Sequence, residues 1–163
     1  MSDPNQAKQI SDAVNAHTQW KMRLLDAAKA GTTDFTPDTV GRDDQCPFGK
    51  WLHGPLDSAV KGDAHYGKVL SLHGELHNKA AGVVEMIKRG DGQSASQALG
   101  PGTPYALASA NLVLELSRLN LEVQELRNRN LQVTGRLEAL ARREKTLEGM
   151  VAYRDEGAKD GSA

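Results

Sequence analysis

The sequence has one cysteine, few aromatic residues, no excess of either charge and no long apolar run, and each shortage removes a class of protein. A single cysteine, Cys46, rules out an intramolecular disulfide framework and suits a reducing compartment. Aromatic residues make up only 4% of the chain, too few for a strand-rich sandwich. A net charge of −1 gives no electrostatic case for a nucleic-acid partner or an anionic membrane. No stretch approaches the roughly 18–20 apolar residues that a spanning helix requires. The first residues, Met1 to Gln6, lack the basic and apolar regions of a secretory signal. The expectation is a cytoplasmic protein with no nucleic-acid partner and no membrane insertion.

What the chain does have is Ala, Leu, Glu, Lys, Gln and Arg, the residues that lose least on entering a helix. The predicted fold class is all-α, a small antiparallel bundle of the four-helix type followed by a coiled-coil helix. Residues 5–90 hold every histidine, both tryptophans and both phenylalanines, and are assigned to the bundle. Residues 91–104, rich in Gly, Ser and Pro, read as a flexible linker. Residues 105–152 carry a leucine repeat, and 153–163 read as a disordered tail.

Apolar residues spaced by three and four predict helices over about 5–30 and 64–89. Ile10, Val14 (with Ala13), His17, Trp20, Leu24 and Ala27/Ala28 share a face of the first; Tyr66, Leu70, His73, His77, Ala80, Val84 and Ile87 share one of the second. Gly90 should stop the second helix, and Pro47 should open a short one after Cys46. Gly67, Gly74 and Gly82 are unusual inside a helix, and suggest close approach of another helix there.

The histidines carry the chemistry. His73 and His77, four residues apart, lie one turn apart on an apolar face, and His17 lies on that of the other helix. With the thiolate of Cys46 they make a three-histidine, one-cysteine donor set, which selects zinc over magnesium or calcium. The plain alternative is three satisfied core histidines and an inert buried thiol. Against it, each inward imidazole needs a polar partner, and neither apolar face supplies a carboxylate. His53 and His65 fall off these faces and read as surface residues. Glu75 reads either as solvent-exposed or as the partner of a ligand imidazole's other nitrogen.

Three stretches carry a family resemblance. His17-Thr-Gln-Trp-Lys-Met-Arg-Leu24, Cys46-Pro-Phe-Gly-Lys-Trp-Leu52 and His73-Gly-Glu-Leu-His77 resemble, in order, the motifs of the bacterial chemoreceptor zinc-binding domain. The resemblance covers roughly residues 5–90. It implies zinc held tightly by His17, Cys46, His73 and His77, a helical bundle, a homodimer and a regulatory role beside chemotaxis or cyclic-di-GMP signalling proteins. Some members sense zinc or oxidants through the cysteine.

Catalysis is not expected. The metalloprotease motif needs Glu where Gly74 stands, the deaminase signature lacks its paired cysteines, and four protein ligands leave zinc no open position. From Leu112 a strict 4-3 pattern runs through Leu116, Leu119, Val123, Leu126, Asn130, Val133, Leu137, Leu140, Glu144, Leu147 and Val151, the signature of a coiled coil. Glu122 and Arg127, and Arg143 and Glu148, would pair across a parallel dimer, and Asn130 at the seam would set its register. Leu107, Leu114 and Leu121 fall outside the seam. Together these features predict a zinc or oxidant sensor that signals to a partner as a dimer; the competing reading is a scaffold that zinc merely stabilises.

Overall fold

The protein is described by a computed structural model covering residues 6–56 and 58–160. Its described residues form helices and connecting turns, with no strand among them, as the composition requires. The chain divides into two units, residues 1–123 and 124–163.

In the first unit, α1 (Gln6–Ala30) and α5 (Ala64–Lys88) are the long helices, within a residue or two of their predicted spans. Between them come α2 (Pro37–Gly41), α3 (Pro47–Leu52) and α4 (Ser58–Lys61). Thr36, Cys46 and Asp63 cap α2, α3 and α5, each accepting a backbone N–H of the first turn. Gly90 stops α5 with φ of 81°, a backbone conformation that side chains disfavour. Leu24, Leu52, Val69, Leu76, Val84 and Ile87 form the centre of the core.

Two contacts fix the helix directions within the all-α bundle. His17 lies against His73 and His77 midway along both long helices. Lys88, at the end of α5, reaches the Thr33 carbonyl just beyond the end of α1. So α1 and α5 run in the same direction, because α2 to α4 carry the chain back to the start. The antiparallel partner of α5 is α7 (Pro104–Asp160), whose Glu115 meets His65 in the first turn of α5.

The expected flexible linker is instead ordered helix. Residues Gly92–Ala98 form α6, capped by Asp91, with Ala95 and Leu99 buried in the core. Small residues are what this packing needs: a Cβ on Gly92 would stand 2.3 Å from the Ala28 carbonyl oxygen of α1. The glycines inside α5 differ. A Cβ at Gly67 or Gly82 would meet nothing within 4 Å, so the close approach expected there does not occur.

Helix α7 begins inside the bundle. Tyr105, Ala108, Leu112, Leu116, Leu119 and Val123 are buried in the same core as α1 and α5. Leu107, Leu114 and Leu121 face outward at 50–62% exposure, outside the seam as expected. The second unit, from Gln124, is helical through Asp160, so the predicted disordered tail is helix over 153–160, while 161–163 lie outside the described residues. Its Ala, Arg, Glu and Lys favour helix and no proline interrupts it. Val133, Leu137, Leu140, Leu147 and Val151 are all at least half exposed.

Candidate metal centre

His17, Cys46, His73 and His77 each offer one donor atom to a cluster whose members all lie within 4.8 Å of one another. Two long helices and one short turn bring them together. The three imidazole centroids are 4.6, 5.2 and 6.2 Å apart, with ring planes 74–89° to one another. Phe48 packs its ring edge-on against His17 and His73 and stacks on Trp51.

Backbone carbonyls fix which nitrogen of each ring is free. His17 Nδ1 lies 2.7 Å from the Ala13 carbonyl, and His77 Nδ1 lies 2.6 Å from that of Val40. A carbonyl only accepts, so both Nδ1 atoms carry the proton and donate, leaving each Nε2 with its lone pair. His73 points Nε2 at Cys46 Sγ, 3.4 Å away. Its Nδ1 is buried with no hydrogen-bond partner, and the nearest carboxylate, Asp43, is 3.9 Å off.

This arrangement fits a zinc ion. Zinc with bonds of about 2.0–2.3 Å spaces tetrahedral ligands by roughly 3.3–3.8 Å, so the cluster closes with shifts on the order of 1 Å. Without a cation, a wholly buried imidazole faces two others and an unpartnered nitrogen, a costly arrangement. Desolvation, reinforced by His77 and His17, pushes His73 down to about 3. Burial also lowers His17, partly offset by its bond to Ala13. Both rings therefore stay neutral, the form that binds metal.

Cys46 sits at the N-terminus of α3, where Gly49 N–H donates to Sγ at 3.1 Å. A helix N-terminus by itself favours a thiolate. Burial nevertheless pushes the thiol up; the N–H groups of Gly49 and Phe48 offset that only partly, and Asp43 adds to it. A bound cation supplies the missing charge and deprotonates a coordinating thiol.

The groups around the cluster are not those that side-chain spacing suggested. Glu75 is exposed, and the carboxylate near His73 belongs to Asp43, three residues before Cys46. The Ala13 and Val40 carbonyls leave no mark in a sequence, since every residue has one. His53 is exposed and approaches Asp43 at 3.4 Å. His65 departs from the surface reading: it is half-buried and donates from Nδ1 to Glu115 at 2.7 Å. A cleft of 840 Å³ opens onto His17, Cys46 and His77, walled by Trp20, Phe35, Phe48 and Trp51.

The depressed histidines make the metal-free protein acid-sensitive. His73 titrates near 3 when folded and near 6.5 when unfolded, so below 6.5 the unfolded chain binds more protons. Its contribution is complete above pH 6.5 and is lost progressively as pH falls toward 3. The loss from His73 approaches about 1.4 kcal/mol per pH unit. Urea midpoints of the zinc-stripped protein should fall from pH 7.5 to 5.5; an unchanged midpoint would show that these rings are not held neutral by burial.

Residues 17–84 match the family model described as the chemoreceptor zinc-binding domain, a stretch that begins at His17 and includes the other three donors. No curated protein and no solved structure gives a significant match to the chain.

Proposed function

We propose, from the premise that residues 17–84 are a chemoreceptor zinc-binding domain, that the chain is a cytoplasmic sensor reading zinc or oxidant through His17, Cys46, His73 and His77. The domain is of a zinc-binding, regulatory kind. The observation that carries the residue assignment is the convergence of three imidazoles and one thiol, within 4.8 Å, from α1, α5 and the α3 cap. Through these four side chains a zinc ion would tie the three segments together and keep Cys46 as thiolate.

Asymmetry within the cluster supports sensing over a purely structural role. His73 is fully buried, while Cys46 is half-buried and borders the cleft, so a small oxidant reaches sulfur first. The Cys46 thiolate would take oxygen from hypochlorous acid, giving sulfenic acid and chloride, and the site would lose its sulfur donor. The output is a parallel dimer through α7, paired at Asn130, which passes the change to a chemotaxis or cyclic-di-GMP signalling partner. Among the described residues no helix is long and apolar enough to cross a membrane.

One equivalent of hypochlorite is expected to release close to one equivalent of zinc, detected with a coloured chelator, and to add oxygen at Cys46. Oxidation confined to the methionines, with Cys46 unmodified and zinc retained, would defeat the sensing role and leave a structural zinc.

A further inference from the structure

The 4-3 seam does not start where α7 becomes exposed. Its first four positions, Leu112, Leu116, Leu119 and Val123, are 0–7% exposed inside the chain's own bundle, whereas Val133, Leu137, Leu140, Leu147 and Val151 are 50–61% exposed. The spacing is unbroken across that boundary. One apolar face therefore suits both a helix buried in the chain's own core and a helix zipped to its own copy.

We infer that Leu112, Leu116, Leu119 and Val123 have two alternative partners, the chain's own bundle and the α7 helix of a second copy. Extension of the dimer zipper comes at the expense of the bundle's hold on α7. The inference rests on the proposed coiled-coil dimer, and charge supports that occupant. At the flanking positions Glu122 falls opposite Arg127, and Arg143 opposite Glu148, of a parallel copy.

The docked state carries its own weakness. Asn120, which flanks the seam, has its side-chain oxygen buried without a hydrogen-bond partner. In a two-stranded coil that flank faces water, so undocking removes the cost. One polar contact of Glu115 favours docking: its carboxylate accepts from His65 of α5 at 2.7 Å, besides accepting from Arg118 within α7 itself at 2.5 Å. Of these two, only the His65 contact crosses from α7 to the helix that carries His73 and His77. Breaking it weakens the hold on α7 without touching the seam or the donor cluster.

The test compares the full zinc-loaded chain with its His65→Ala variant. Mixed dimers of ¹³C-methyl-leucine and unlabelled chains report interchain contacts at each leucine. In the parent, contacts between chains are expected at Leu137, Leu140 and Leu147 and are weak or absent at Leu112, Leu116 and Leu119. In His65→Ala they should appear at Leu119 and Leu116, and the dimer dissociation constant should fall about tenfold by sedimentation equilibrium. Interchain contacts at Leu140 with none gained at Leu116 or Leu119 would overturn the competition while leaving the coiled-coil dimer standing. No interchain contact at Leu140 would overturn the dimer itself, and the competition with it.

Discussion

Alanine at both His73 and His77 is expected to abolish measurable zinc binding and to lower thermal stability sharply. Structural zinc sites contribute about 10–16 kcal/mol of binding free energy, and losing two of four donors should reduce affinity by about 10⁴-fold or more. A second effect acts without metal. His73 is completely buried against Phe48 and His77, so its truncation leaves a cavity in the core. The parent should carry one zinc per chain by elemental analysis, and the double variant close to none. His53→Ala, outside the cluster, should keep the full complement. Parent-like zinc content in the double variant would show that the metal is held elsewhere.

Gly49→Ala should disable the same site without removing a ligand. A Cβ at Gly49 would lie 1.7 Å from the Asp43 carbonyl oxygen, a backbone atom that cannot swing aside as a side-chain end can. Relief requires moving the Asp43–Gln45 turn, and with it Cys46, away from α3. The N–H that Gly49 donates to Cys46 Sγ would shift too. Overpacking of this kind costs about 1–3 kcal/mol or more, and misplacing the thiolate should cost zinc affinity at least about a hundredfold. Gly67→Ala is the control: nothing lies within 4 Å of its Cβ, and alanine favours helix by up to about 1 kcal/mol. Urea titration and competition with a zinc chelator measure both variants. If Gly49→Ala binds zinc like the parent, the Cys46 turn is not held by contact with α3.

Side-chain chemistry at helical spacing was legible in the sequence. The periodicity of Ile10, Ala13, Leu24, Ala80, Val84 and Ile87 located two long helices and their buried faces. The placing of His17, His73 and His77 on those faces foretold the cluster. What stayed hidden depends on tertiary contact or on groups common to all residues. The relative direction of α1 and α5 was not legible, because an amphipathic pattern has no sense of direction relative to its neighbour. Residues 91–104 looked like linker because Gly, Ser and Ala are shared by flexible chains and by tight helix contacts. Only the Ala28 carbonyl against Gly92 decides between them. The leucine repeat gave an apolar face but not its division, since a leucine buried in its own bundle and an exposed one read alike. Asp43 and the Ala13 and Val40 carbonyls were missed because their roles arise from the turn and helix positions that set them beside the imidazoles.

The central claim is that one zinc is held by three imidazole nitrogens and the Cys46 sulfur. X-ray absorption at the zinc edge of the full chain measures that directly. Ligation by His17, Cys46, His73 and His77 predicts about three nitrogen neighbours at roughly 2.0–2.1 Å and one sulfur at roughly 2.3 Å. In a Cys46→Ser variant the sulfur shell should disappear. A parent spectrum with no sulfur neighbour, or a sulfur shell that survives in Cys46→Ser, would contradict the assignment.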